Sequence, residues 1–271
     1  MSSTSWYRIV TVQIDDLVFD YETCDIEFEI KKSNDSNQNQ GEITLWNLDS
    51  KTLNAIKKDS LVQVMAGFKG DYGAIFEGFV TKKEPRTEGV DLSTIVTCSD
   101  SSFLFYISEE FVFEVREGQK LSAAVKQVYD ACNVPAGKID DIDYVFPHAR
   151  TFTGTGQAIL EEMLKIVNGS SKDAKYVSYT EGGMGYFVRS DNKTTEVFEI
   201  NSSTGLLTTE VTEDSTSDTV ATLKTLLNWR IGIDSWLRVK SPNVNGLFKV
   251  SGYTHTLKGK TYETEIGVAE A

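Results

Sequence analysis

The chain predicts a mainly β protein of the α+β class, with its β structure divided by a helix-containing middle. Three observations carry that reading. Short alternating apolar runs fill the first 100 or so residues, the apolar period lengthens to that of a helix between 117 and 170, and alternation returns beyond Lys175. With 271 residues there is room for two ordinary domains or one large β domain, each with its own core.

Taken in order, "WYRIVTVQIDDLVFDYETCDIEFEI" over 6–30 predicts two antiparallel strands, one marked by Ile9 and Val10, the other by alternating Ile26, Phe28 and Ile30. "KKSNDSNQNQG" over 31–41 is polar and turn-rich, a loop. In "GEITLWNLDSKTLNAIKKDSLVQVMAGF", 41–68, Ile43 and Leu45 share one strand face. Asn47 to Ser50 supply a turn or cap, and Leu53 with Ile56 are spaced for one short helix. Leu61, Val64, Ala66 and Phe68 then resume β structure. Residues 73–98 read as two strands, crowded with Ile75, Phe76, Phe79 and Val80 in one and Leu92, Thr94, Val96 and Cys98 in the other. Their loop is expected around Pro85 and Gly89. So many short strands at this spacing argue for a barrel or a sandwich.

The period then changes. "EGQKLSAAVKQVYDACNVPAGKI", 117–139, places Leu121, Ala124, Val125, Val128 and Cys132 on one helical face, and Pro135 stops the helix. A second helix follows in "TFTGTGQAILEEMLKIVNG", with Ile159, Leu160, Met163, Leu164 and Val167 as its buried stripe, Thr155 as its cap and Gly169 at the far end. "AKYVSYTEGGMGYFVRSD" predicts a hairpin that turns at its glycines. "TTEVTEDSTSDT" is loop or exposed edge, and 223–268 supplies four β phrases, the last alternating Thr264, Ile266 and Val268.

Composition narrows the function classes. Residues are 40% hydrophobic and 25% charged, as in a globular protein. No apolar run approaches the roughly 18 residues that cross a bilayer, and the first residues lack a secretion-signal pattern, so a cytoplasmically made product without stable membrane insertion is expected. A net charge of -13 with scattered basic residues opposes specific nucleic-acid binding. The three cysteines, Cys24, Cys98 and Cys132, read as small buried hydrophobes in a reducing compartment. His148 and His255, the two histidines, have no metal-ligand spacing around them. The glycosylation-type triplets at Asn34, Asn168, Asn192 and Asn201 carry no meaning without a secretion signal.

Candidate chemistry is sparse. "TFTGTGQ" imitates a phosphate loop but lacks its lysine, so capping and tight packing explain it better than anion binding. Asp140, Asp141 and Asp143 suggest calcium until the ligand series breaks, leaving a solvated acidic turn. Glu161 and Glu162 favour the positive end of a helix, whereas a hydrolytic pair should converge from separate elements. Ser99, Ser101 and Ser102 near Asp100 lack a nucleophile elbow, and His255 alternates as an ordinary strand residue. Trp46, Trp229 and Trp236 could stack on sugars, but in β phrases they read as core or interface. No catalytic, cofactor-binding or metal-binding residue is assigned, and no cofactor is expected.

Several phrases in order do resemble one family. "FEIKKS" at 28–33, "GEITLWNLDSKTLNAIKKDSLVQVMAGF", "IFEGFV" at 75–80 and "TIVTCSDS" at 94–101 are followed by "EGQKLSAAVKQVYDACNVPAGKI" and "FTGTGQAILEEMLK". The end supplies "LLNWRIGIDSWLRVKSPNVNGLFKVSGYTHTLKG". Together they are similar to the baseplate hub proteins of contractile phage tails and related contractile injection systems, and to tail-tip hub proteins of long flexible tails. The likeness spans nearly the whole chain and rests on order and spacing. Trp229 stands where the family often has proline, and Asp234 where glycine is common.

The resemblance implies a mainly β fold of two β-barrel-like domains with a small α/β portion between them. The expected parts are an N-terminal barrel over 1–112, an α/β portion with two helices over 113–200, and C-terminal strands over 201–271 that complete the second barrel. It also implies a homotrimer, with a ring of near-sixfold symmetry that meets a hexameric tail tube protein on one face and a trimeric central spike protein on the other, beside other baseplate proteins. The expected location is the virion tail, and the acidic balance of the chain fits a lumen that repels passing DNA. With no lysozyme or peptidase extension evident, no wall-cleaving activity is expected. The alternatives are a receptor- or glycan-binding β module of a tail, and a cell-wall hydrolase.

Overall fold

The computed structural model describes residues 7–33, 40–100, 109–171, 174–190, 197–212, 219–233 and 235–270. Its elements run β1 (Arg8–Ile14), β2 (Leu17–Asp20), β3 (Ile26–Ser33), β4 (Gln40–Trp46), α1 (Ser50–Ala55), β5 (Leu61–Phe68), β6 (Asp71–Glu88) and β7 (Asp91–Asp100). The middle contributes β8 (Phe111–Val115), α2 (Leu121–Ala131), β9 (Ala136–Ile139), β10 (Arg150–Gly154), α3 (Gly156–Ser170), β11 (Tyr176–Glu181) and β12 (Met184–Arg189). The last part holds β13 (Val197–Ile200), β14 (Leu206–Val211), β15 (Ala221–Leu226), β16 (Trp236–Lys240), β17 (Asn245–Lys258) and β18 (Thr261–Glu270). The fold is mainly β, as the sequence predicts. The strands and helices divide into two compact units, the first from both ends of the chain (β1–β7 and β13–β18), the second from its middle (β8–β12).

Unit 1 is built on one 13-stranded sheet with the order β14-β15-β18-β17-β3-β4-β7-β6-β5-β1-β2, while β16 pairs with β17 and β13 with β16. Its two ends meet where β3 pairs antiparallel with β17, Phe28 opposite Leu257 and Ile30 opposite His255. Because strand side chains alternate with period two, register fixes which residues enter the core. One buried row runs Thr225–Thr264–His255–Ile30–Gly41–Cys98–Val80 across neighbouring strands. The parallel row Leu257–Phe28–Ile43–Val96 is likewise buried. Each such aliphatic side chain contributes about 1.5–3 kcal/mol on burial.

The segment 41–68 folds as its residues predict. Ile43 and Leu45 are fully buried on β4. The Asp49 carboxylate caps α1, accepting from the backbone N–H of Lys51 at 2.7 Å and of Thr52 at 3.0 Å. Those bonds hold its carboxyl below the usual carboxylate range. At the other end of α1, Lys83 Nζ donates to the carbonyls of Leu53 and Ile56, each at 2.7 Å. On β5, Val62, Val64 and Ala66 are fully buried, while Leu61 is 39% exposed. Leu61 is held beside the β1–β2 turn, where its N–H donates to the Asp15 carboxylate at 2.8 Å.

Other expectations are corrected. Residues 8–33 form three strands, because the two-residue turn at Asp15 and Asp16 folds β2 back on β1 with Ile14 opposite Leu17. Pro85 lies inside β6, opposite Thr94, and the turn falls at Gly89. Proline is tolerated there because, among the described residues, this stretch of β6 pairs only with β7, so its other side completes no ladder with them. The expected loop at 31–41 proves to be strand at Lys31–Ser33 and from Gln40 on, and 34–39 lie outside the described residues. The polar stretch 208–219 begins, as expected of an exposed edge, in the terminal strand β14, and 213–218 lie outside the described residues.

Unit 2 packs α2 and α3 on two small sheets, β10-β8 and β11-β12-β9, in the latter of which β9 runs parallel to β12. The α2 stripe of Leu121, Ala124, Val125 and Val128 is buried as its spacing predicts, and so is Ile159, Leu160, Met163 and Val167 on α3. Thr155 caps α3 by accepting from the Ala158 N–H at 3.2 Å. The β11–β12 hairpin turns at Gly182 and Gly183, both left-handed. Tyr129 is buried against Gly185, where a Cβ would stand 2.2 Å from its ring, and its hydroxyl donates to the Tyr186 carbonyl at 3.0 Å. Burial drives the Tyr129 hydroxyl well above its ordinary pKa.

Candidate functional site

The residues weighed for chemistry do not assemble into a reaction centre among the described residues. Ser99 and Asp100 are buried at the end of β7, while Ser101 and Ser102 lie outside the described residues. Asp100 faces Lys32 of β3 at 3.7 Å, and both side chains are 3% exposed. His255, 1% exposed, puts Nδ1 2.8 Å from Thr264 Oγ1, which also accepts the Asn228 N–H at 3.0 Å. The imidazole and the Thr264 hydroxyl share one hydrogen bond through Nδ1, and Nε2 has no hydrogen-bond partner among the described residues. Burial, with the charge of Lys32 as the lesser cause, lowers the His255 pKa to about 3. A neutral, enclosed imidazole with that pKa is a structural residue and a poor base near neutrality.

The acidic candidates disperse. Asp140 takes the Arg189 N–H at 2.8 Å and faces Lys138 at 3.3 Å, whereas Asp141 faces Lys120 at 3.2 Å. Glu161 accepts from Gln157 at 2.9 Å and Glu162 faces Arg150 at 3.4 Å, so each serves a different neighbour. No three His, Cys, Asp or Glu among the described residues are placed to hold a metal ion. The glycines of "TFTGTGQ" serve packing: Gly154 has a φ of 147°, and a Cβ there would lie 3.2 Å from that of Ala158. Cys24, Cys98 and Cys132 are free thiols, and burial pushes Cys98 up to about 12 and Cys132 to about 11, which keeps them protonated.

What unit 1 does build is a pair of clasps between the two ends of the chain. Trp229, the unusual residue of the last turn region, donates its indole N–H to Asp71 Oδ1 at 2.7 Å, and Arg230 donates to Asp71 Oδ2 at 2.7 Å. The Arg230 guanidinium lies 4.8 Å from the Trp229 ring centroid. Burial pushes the Asp71 carboxyl upward, but the hydrogen bonds from Trp229 and Arg230 outweigh it and hold the pKa below the usual range. Gly73 is needed beneath the indole, since a Cβ there would stand 2.3 Å from Trp229 Cε3. Asp234, the other departure from the family pattern, lies outside the described residues.

The second clasp centres on Tyr262 of β18. Its hydroxyl has the backbone carbonyls of β1 and β5 to share its one proton between, Ile9 O at 3.0 Å and Gly67 O at 2.8 Å, and accepts from the Gly67 N–H at 2.6 Å. Arg8 covers the Tyr262 ring, 5.1 Å from its centroid, and reaches the carbonyls of Gly259 and Lys260. Of the other tryptophans, Trp236 is buried with Lys249 Nζ 5.8 Å from its ring, and Trp46 is half-buried at the end of β4. Sequence reasoning could not find either clasp, since Asp71–Trp229 and Ile9–Tyr262 are separated by 158 and 253 residues.

No protein-family model matches the chain, and no curated protein matches its sequence. Solved structures do match its fold. A 43 kDa tail protein of prophage MuSo2 from Shewanella oneidensis aligns over 97% of this chain and 97% of its own, at 10% identity and a TM-score of 0.70. A tail protein from Neisseria meningitidis aligns over 98% of this chain and 97% of its own, at 9% identity and a TM-score of 0.62. An Escherichia coli component of the type VI secretion system, described as structurally similar to the T4 bacteriophage tail proteins gp27 and gp5, aligns over 96% of this chain and 76% of its own. That match has 10% identity and a TM-score of 0.61. At such low identity the likeness establishes architecture: this chain has the mainly β fold of phage tail proteins.

Proposed function

We propose that the chain is a structural component of a phage-type tail, a baseplate hub that forms a homotrimer and joins a hexameric tail tube to a trimeric central spike. The observation that carries this is the likeness to tail proteins along nearly the whole chain, with both ends drawn into one sheet. In this reading the strands of 1–112 and those of 201–271 supply two similar barrels per subunit, and the portion over 113–200 lies between them. Three subunits then offer six alike contacts to a tube, while their dissimilar α/β parts keep threefold order for a spike. The terminal strands β2 and β14 of the sheet would be covered by neighbouring subunits, which removes their aggregation hazard.

The role is structural rather than catalytic, and the place of action is the tail of a virion or of a related injection device. No helix among the described residues is long and apolar enough to cross a membrane. Mass measurement in solution followed by electron microscopy of the purified protein tests the reading. A trimer that forms rings, alone or with tube and spike proteins, is expected. A monomer that forms no ring with either partner would sink it.

A further inference from the structure

Asparagine is among the chemically labile side chains of a folded protein, most of all where glycine follows it, because no Cβ then shields the next amide nitrogen. The chain contains two such pairs, Asn168–Gly169 and Asn245–Gly246. All four residues are exposed, so access to water does not separate the pairs. The structure around them does.

Asn168 lies inside α3, near its C-terminal end, and both ends of its side-chain amide are tied. Nδ2 donates to the Tyr176 carbonyl at 3.0 Å, and Oδ1 accepts the Tyr176 N–H at 2.7 Å. Reaction of that side chain with its own backbone requires both bonds and the helical turn to open together. Asn245 instead opens β17, opposite Lys240 at the end of β16. The turn before it closes on itself through Ser241, whose N–H donates to the Val244 carbonyl at 3.1 Å and whose hydroxyl accepts the Val244 N–H at 2.9 Å. The Asn245 amide leans back on that turn, with Nδ2 donating to the Ser241 carbonyl. Gly246 follows with a φ of 151°, a conformation that glycine adopts readily. Here only the end of a ladder has to open, and ladder ends open at little cost.

We infer that Asn245–Gly246 is a site of self-modification, the point at which this chain deamidates. The Gly246 nitrogen bonds to Asn245 Cγ, the Cγ–Nδ2 bond breaks, and ammonia leaves with the proton that the Gly246 nitrogen gives up. Water then opens the cyclic imide at either of its carbonyls, giving aspartate or isoaspartate. Each product adds a negative charge opposite Lys240, which already faces Glu199 of β13 at 3.4 Å. Isoaspartate also lengthens the main chain at the first pair of β16 with β17, and β16 carries β13 on its other side. The inference stands apart from the hub reading, since the reaction needs no partner.

The test keeps full-length protein in mildly alkaline buffer, which favours loss of the amide proton, and follows both pairs over days by peptide mapping with mass spectrometry. Peptides that carry Asn245 are expected to gain aspartate and isoaspartate about tenfold faster than those that carry Asn168, the worth of one or two hydrogen bonds. In urea, which removes the fold, the two rates should converge. Asn245→Gln should abolish the main acidic satellite of the native protein on ion exchange, and Asn168→Gln should leave it. The proposal is overturned if Asn168 converts as fast as Asn245 in the native protein, or if Asn245 stays intact there while it converts in urea. Survival of the satellite in Asn245→Gln would overturn it as well.

Discussion

Units 1 and 2 hold their strands and helices in place by different means. Unit 2 is made from one continuous stretch of chain, and its helices carry their own instructions: an apolar stripe on each, a threonine cap on α3, and glycines at the hairpin turn. Unit 1 depends on partners far apart in sequence, through the β3–β17 ladder, the Asp71–Trp229–Arg230 clasp and the Tyr262 hydroxyl. Its interior also encloses polar groups, Lys32, Asp100, His255 and Thr264, where the unit 2 core cluster is apolar and aromatic. A local design can lose one signal and keep most of its structure. A design based on distant pairing concentrates risk at the pairing points.

The largest expected effect lies at the enclosed ion pair. Lys32→Met should cost about 3–5 kcal/mol, because it leaves the Asp100 carboxylate buried without its lysine. Hydrogen exchange followed by mass spectrometry should show the loss in β3, β7 and β17, with α2 and α3 still protected. Equal loss of protection in both units would abolish the contrast drawn between them.

Acid should discriminate between the units next. The folded pKa of His255, about 3, lies below its ordinary value of 6.5. Between those values the unfolded chain binds the proton and the native state does not, so stability falls as pH drops below about 6.5. The slope is about 1.4 kcal/mol per pH unit, or about 2 kcal/mol lost by pH 5. Urea melts at pH 7 and pH 5 should show that loss in the parent and a smaller one in His255→Leu. Identical pH dependence in the two would mean that His255 does not drive it.

The smallest effect is local. Thr155→Ala removes the cap of α3 and should cost about 1 kcal/mol, seen as faster exchange in the first turn of that helix alone. Spread of that change into β3 or β17 would mean that the units are less independent than their construction implies.

The same difference decides what could be read from the residues. The two helices of unit 2, the α1 cap at Asp49, and the alternation of Thr264, Ile266 and Val268 are set by neighbours within a few positions, and all are legible. The strand over Leu61–Phe68 is legible, whereas the bond from the Leu61 N–H to the Asp15 carboxylate, 46 positions away, is not. Pro85 reads as a breaker until the missing second partner of its strand is known. The short strands β8, β9, β10 and β13 have too few residues to display a period, and acquire their form from their partners. No catalytic group could be assigned from the residues, and the clasps stayed invisible because each joins segments that only the folded sheet brings together.

The β3–β17 ladder also sets a clock. A ribosome that adds about 5–20 residues per second will release β3 roughly 10–50 seconds before β17 arrives to pair with it. During that interval unit 2 can complete itself, while β3, already joined to β4, keeps one edge open to any other nascent chain. Slow, non-local pairing of this kind favours assembly at low chain density. The yield of native protein should therefore be governed by synthesis rate and chaperone supply as much as by the final stability of the sheet.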